Sequence, residues 1–363
     1  MVLHKLLRVP TQPVHALLMI MKVYEANTPN DAGQWASFAG RMATCSHHMR
    51  WDWKQVMEDG FRWPTYYLMA EEGGEIVGLL PLVWQKSFLF GSFLTSLPFL
   101  SGGGILASSK AAEDALLKEA IALAGRLGAR HLELRFRNDP RLGLPTKTNK
   151  VALTRAIGPD SEEMLRNLPH KVRSDVRKAM QSGFTAELLG EEALDDFYRI
   201  FAINMRELGT PVYSKRFFQE ILKAFPSVTH ICLVRLGGKT VAASFLMGYR
   251  EVIEAGWSAS LYEYLRLKPN MFLYWSTFCL AGRKGYRVFD FGRSSVGSGT
   301  HRFKLQWGSQ EVPLYWAYWL PEGTASPELN PQNPRYRVAI KVWSRLPVGV
   351  TKILGPRVAR CLP

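Results

Sequence analysis

The 363-residue chain is short of acidic residues, with 31 Asp and Glu against 46 Lys and Arg, and its net charge of +15 argues against cationic partners. Polyanions suit it instead: RNA, anionic lipid head groups or phosphorylated substrates. Cysteine is scarce. Cys45, Cys232, Cys279 and Cys361 stand far apart with no CxxC pair, which excludes a disulfide framework and a zinc site of that type and fits a reduced, cytosolic setting. Long apolar runs are absent as well, since the stretch Val14 to Val23 is interrupted by His15 and Lys22 and falls short of the roughly 20 residues that a spanning helix needs. With no small-residue cleavage site behind it, that stretch is not read as a signal peptide, and residues 1–18 are read as a loosely ordered extension. His47-His48 and His301 lack metal-ligand spacing, so no metal is expected. What remains, 47% hydrophobic and 21% charged residues, is the composition of a globular chain long enough for two domains.

The densest local signal is GYRVFDFGRSSVGSGTHRFKLQWG, Gly285 to Gly308. Val288, Phe289 and Phe291 predict a buried strand with Asp290 near its end, and Gly292, Gly297 and Gly299 allow the backbone after it to bend. Arg293, Arg302 and Lys304 surround that bend, and Ser294 and Ser298 lie within it. Free N–H groups and cations together suit a phosphate or a developing oxyanion, while a solvated surface turn would use the same residues. Asp290 either moves a proton or bonds the loop's N–H groups. Gly292 and Gly297 have Walker A spacing, but Ser298 stands where that motif needs lysine, which argues against an NTPase.

The chain repeats one order of elements. YYLMAEEGGEIVGLLPLVW and HICLVRLGGKTVAASFLMG both read as strand, Gly-Gly turn, strand, and each is followed by a helix that ends at a glycine, Gly128 or Gly285. Arg130 and Glu133 then match Arg287 and Asp290, each pair three residues apart. The segment Arg137 to Pro140 after the first copy has neither the glycine loop nor the lysine, so chemistry is expected in the second half alone. The expected organisation is α/β: mixed-sheet domains over 19–155 and 156–330 with flanking helices, then a basic helical tail over 331–363.

Three further segments carry candidates. Pro169 begins a helix whose Val172, Val176 and Met180 form an apolar stripe; Lys171, Arg173, Arg177 and Lys178 are either a solvated face or a contact for phosphate or RNA. The connector NMRELGTPVYS joins two amphipathic helices, the second capped by Ser214, and offers Arg206 and Tyr213 to a substrate. Tyr262 and Tyr274 are further lining candidates. In the tail, Val338, Val342, Trp343 and Leu346 can share one face, with Arg337, Lys341 and Arg345 toward the other, compatible with docking on the core or with an anionic membrane.

The strings NMRELGTPVYSKRFF, GWSASLYEYLRLKPNMFLYW, FDFGRSSVGSGTHRFKLQWG and LGPRVARCLP resemble the FemAB-like acyltransferases, specifically the branch associated with the PEP-CTERM/exosortase system and exopolysaccharide loci. The resemblance extends from about Met21 to the C-terminus. It implies two tandem domains of the Gcn5-related N-acetyltransferase (GNAT) fold and an acyl-transfer reaction. It also implies that Lys304, at the lysine of the family's corresponding motif, favours the charge that develops during transfer. Relatives use aminoacyl-tRNA or are described as acetyltransferases, so aminoacyl-tRNA and acetyl-CoA are the implied donors, with no tightly bound cofactor. The expected acceptor is a phosphorylated or lipid-linked glycan or peptide precursor of the cell envelope or an exopolysaccharide. The usual CoA-cradling loop, R/Q-x-x-G-x-G/A, has no good copy: Arg206 to Gly209 begins one, but Pro211 fills its last small position without an N–H. Two other roles stay open: a CoA-dependent N- or O-acetyltransferase, and a non-catalytic assembly factor at the inner membrane.

Overall fold

The computed structural model describes residues 21–87, 91–324 and 334–361. The expected extension over 1–18 lies outside them. The first half runs β1 (Lys22–Glu25), α1 (Pro29–Arg41), α2 (Trp53–Phe61), β2 (Thr65–Glu72), β3 (Glu75–Ser87), β4 (Gly91–Thr95), β5 (Leu106–Ala107), α3 (Lys110–Arg126), β6 (Leu132–Phe136) and β7 (Thr146–Ala156). The second half runs α4 (Ser161–Arg166), α5 (His170–Met180), β8 (Phe184–Leu189), α6 (Leu194–Glu207), α7 (Lys215–Ala224), β9 (Thr229–Leu236), β10 (Lys239–Tyr249), β11 (Val252–Ser260), α8 (Pro269–Arg283), β12 (Val288–Ser295), α9 (Gly299–Leu305) and β13 (Gln310–Trp319). Two tail helices follow, α10 (Pro334–Trp343) and α11 (Val348–Ala359).

Both Gly-Gly turns are tight hairpins in which each glycine has positive φ, 59° and 86° at Gly73-Gly74 and 57° and 77° at Gly237-Gly238. That backbone matches the twist of the strands it joins and strains any residue with a Cβ. The hairpins belong to a single sheet of order β1-β2-β3-β4-β6-β13-β7-β12-β11-β10-β9-β8, with β5 on β3. Its centre is an exchange. β7 follows β6 in the chain yet pairs with β12 and β13, and β13 crosses back to lie between β6 and β7. Residue 155, where the sequence reading divides the halves, is the penultimate residue of β7, so the sheet is continuous across that division.

Apolar packing crosses it too. Trp53 and Trp63 from the first half share a core with Phe197, Phe217, Phe218, Phe245 and Trp257 of the second. Phe61 and Phe217 have ring centroids 4.8 Å apart, where α2 meets α7. Truncating one such fully buried ring typically costs about 3–5 kcal/mol, enough to fix how the halves meet.

Candidate functional site

Two parallel strand pairs set the geometry. β4 pairs with β6 only at Leu94–Leu132 and Thr95–Glu133, and β11 with β12 only at Val252–Val288, Ile253–Phe289 and Glu254–Asp290. In both halves the pairing stops at the repeated carboxylate. Beyond it β11 and β12 diverge, and a cavity of about 300 Å³ opens between them. Gly256, Trp257 and Ser258 of β11 form one wall, and Phe291, Gly292 and Arg293 of β12 the other.

Lys304 enters this cavity from α9. Ser298 caps the helix by accepting from the His301 N–H at 3.2 Å, and the His301 imidazole accepts from Gly297 N at 3.1 Å and meets Glu311. The Lys304 ammonium, 8% exposed, donates to the carbonyls of Gly292 and Arg293 at 3.1 and 3.0 Å. A lysine has three donors, so one is left to face the cavity. Burial pushes its pKa down to about 8, with Asp290 and Glu254 opposing that shift and Arg293 adding to it.

Asp290 accepts from Gly292 N at 2.8 Å and from the Arg137 guanidinium at 2.5 Å. Burial and the neighbouring Glu254 raise its pKa, with Arg137 opposing. Asp290 thus bonds the loop and sits behind the wall; Glu254 is the carboxylate in the wall itself. Glu254 meets His47 Nε2 at 2.9 Å and His48 Nε2 at 3.6 Å. Burial works against its charge, but His48, the His47 hydrogen bond and Arg137 outweigh it and hold the carboxyl below the usual range.

The donor atoms of His47, His48 and Glu254 lie within 4.8 Å of one another, an arrangement of metal-ligand type that adjacent histidines in the sequence did not reveal. Arg137 Nη1, 3.9 Å from the same Glu254 oxygen, already supplies positive charge there and works against a dication. His47, with Phe99, Leu100 and Ser101, also brings the first half into the cavity wall. The sequence pointed to the second half alone, yet the cavity beside Lys304 is also walled by loops of the first half, which packs on the second through the shared core and through Arg137.

The remaining sequence candidates separate. Tyr213 and Tyr274 line the cavity, and burial raises the pKa of both. Arg293 lines it and donates to Phe99 O at 2.5 Å. Ser294, Gly297, Ser298, Gly299 and Arg302 lie outside its wall: Ser298 caps α9, Gly299 begins it, Arg302 donates to Gly297 O at 2.6 Å, and the buried Ser294 Oγ has no partner among the described residues. Tyr262 is 73% exposed, on the short turn before α8, away from the cavity. Arg206 instead donates to Ser344 O at 3.1 Å and holds the tail. Lys171, Arg177 and Lys178 are exposed on α5, and Arg173 donates to Arg166 O at 2.8 Å; none lines the cavity. Glu254 and His47 were missed. The lone acid in the otherwise apolar VIEAGW was the available signal for Glu254; His47 had none, its partner being 207 residues away.

Arg293 also borders a second cavity of about 280 Å³. Glu133 and Arg135 of β6, Trp316 and Tyr318 of β13, and Lys147 of β7 are cross-strand neighbours on the sheet face that floors it. Lys150 adds a cation at the rim, its pKa lowered by burial and then by Arg293 and Arg135.

Residues 167–305, from the turn before α5 through α9, match the acetyltransferase (GNAT) domain family. The splayed β11 and β12 and Lys304 all fall within that span. The chain has a GNAT fold. Its tandem GNAT arrangement is similar to FemX, at 15% identity and TM-score 0.62 over 81% of this chain and 96% of that one. It is also similar to a tandem GNAT protein from the clavulanic acid biosynthesis pathway, at 12% identity and TM-score 0.55 over 85% and 100%. The C-terminal domain of a putative lysylphosphatidylglycerol synthetase from Agrobacterium fabrum aligns at 14% identity and TM-score 0.53 over 80% and 91%. No curated protein sequence matches the chain.

Proposed function

We propose that the protein is an acyltransferase whose reaction centre is the opening between β11 and β12. The observation that carries this reading is the Lys304 ammonium, held by two carbonyls with one donor left over, in a cavity made where parallel pairing stops. An acyl carbonyl placed there is attacked by an amine or hydroxyl of the acceptor. The tetrahedral oxyanion takes the free N–H of Lys304, Glu254 accepts the acceptor's proton, and the carrier leaves with the bonding electron pair. His47, hydrogen-bonded to Glu254, orients that carboxylate.

The cavity beyond Arg293 supports an anionic acceptor. Arg293 and Arg135 both oppose the charge on Lys150, and Arg135 that on Arg293, beside the one carboxylate of this wall, Glu133, so an anionic acceptor would relieve that repulsion. A phosphorylated or lipid-linked envelope or exopolysaccharide precursor belongs to this class. For the donor, the connection from β11 to α8 contains no glycine and opens the helix with Pro269, which has no N–H to offer. That weighs against a CoA pyrophosphate cradle at this place and favours aminoacyl-tRNA. Acetyl-CoA is the second reading, favoured by the acetyltransferase-domain match.

Purified protein is to be incubated with labelled acetyl-CoA or charged tRNA and with extracts of phosphorylated envelope precursors. Label should pass to a phosphorylated acceptor, from charged tRNA in preference to acetyl-CoA. Transfer that survives Lys304→Ala unchanged overturns the mechanism, and transfer to neutral acceptors alone overturns the acceptor class.

A further inference from the structure

The last tail helix docks by small residues, and both tail helices leave several large apolar side chains outward. Thr351, Gly355 and Ala359, four residues apart on α11, are buried against the core. A Cβ on Gly355 would lie 2.9–3.0 Å from Val212, which shows how closely the helix seats. At 100° per residue the opposite face carries Val350, Ile353 and Leu354, which are 38%, 65% and 39% exposed, with Arg357 among them. α10 also leaves apolar residues outward, although a large residue makes its contact. Ile340 is the residue toward Gly209, while Val338 and Val342 are 65% and 57% exposed beside exposed Lys341 and Arg345. The sequence reading placed Val338 and Val342 on a face separate from the cations. In the folded protein they share the solvent side.

Residues 331–363 contain seven Lys and Arg and no Asp or Glu. Five large apolar side chains left in water on two adjacent helices, with cations between them and no acid, match the chemistry of an anionic bilayer surface, where apolar groups enter the acyl boundary and cations meet the head groups. No helix among the described residues is long and apolar enough to cross a membrane, so contact would be interfacial. We infer that the outward face of α10 and α11 is a docking surface for an anionic lipid bilayer.

The test is co-sedimentation of the full chain with vesicles of phosphatidylcholine, alone or mixed equally with phosphatidylglycerol. Binding to the mixed vesicles, weakened by high salt, is expected. Val338→Ser and Ile353→Ser, made at exposed positions and checked for an unchanged melting temperature, should each weaken it about tenfold. Three results overturn the inference: no binding to the mixed vesicles, equal binding to neutral ones, or binding unchanged in both variants. A concentration-dependent dimer abolished by the same substitutions would also overturn it, by making a second copy the occupant.

Discussion

The Arg137 guanidinium donates to the Asp290 carboxylate across 153 residues of sequence and joins the two halves directly behind the cavity that Lys304 lines. The consequence passes down one strand. Asp290 accepts from Gly292 N, and the carbonyl of Gly292 accepts from Lys304. A first-half arginine is therefore linked, through Asp290 and Gly292, to a carbonyl that holds the lysine.

Arg137→Ala would leave Asp290, 1% exposed, and Glu254, 6% exposed, without that cation. Removing one partner of a buried ion pair costs about 3–5 kcal/mol. Denaturant unfolding should show a loss of that size, and Asp290→Asn in the Arg137→Ala background should recover part of it. A loss under about 1 kcal/mol would mean that water screens the pair as at a surface.

Lys304→Ala should lower kcat by about 100- to 1000-fold, the usual cost of losing an oxyanion donor, with a smaller change in KM. In the proposed mechanism the protonated amine is the working form, and with a pKa pushed down to about 8 the wild-type rate should fall as pH rises through 8. Rate–pH profiles of kcat decide it. A rate that climbs through 8 would make Lys304 a base instead. Because its folded pKa lies below the usual 10.5, the unfolded chain binds more protons between about 8 and 10.5, and this group adds stability as pH rises across that window.

Lys150 lies at the rim of the second cavity, and its ammonium bonds the Ser295 hydroxyl. If the second cavity takes the acceptor, as proposed, removing Lys150 takes away a charge that meets the acceptor and not the acyl carrier. Lys150→Ala should raise the acceptor KM about tenfold, as expected for one charge-assisted hydrogen bond, with the donor KM unchanged. Inorganic phosphate should compete with the acceptor and do so less well in the variant. Equal changes in both KM values would place Lys150 outside acceptor binding.

Much of this fold was legible because local chemistry dictated it. The Gly-Gly hairpins, the Ser214 cap that accepts from Phe217 N, and the helices ending at Gly128 and Gly285 depend on residues within a few positions. The exchange of β7 and β13 was not, since alternation marks a strand without naming its partner. Lys304 and Asp290 could be proposed from one segment, and the structure puts the first in the cavity wall and the second behind it. Arg137 and His47 join them only through contacts 153 and 207 residues long. Arg206 and Tyr262 were misjudged for the same reason: a polar residue beside a predicted loop does not reveal whether a tail helix or solvent will meet it.

Gly282 was unremarkable in the sequence, yet a Cβ there would lie 1.9 Å from the carbonyl oxygen of Gly158. That oxygen is backbone and not a flexible side-chain end, so α8 would have to shift away from the loop after β7. α8 carries Tyr274 into the cavity wall, and its movement should be felt in both stability and activity. Gly33 on α1 is the control, with nothing within 4 Å of its Cβ position. Gly33→Ala should stabilise the protein by about 0.5–1 kcal/mol, because alanine gives up less chain entropy in a helix. Gly282→Ala should instead lower the melting temperature and the rate together. Equal and opposite shifts are not required. If both variants stabilise the protein, the close approach of α8 to Gly158 is absent in solution, and Tyr274 loses its claim to a fixed place in the wall.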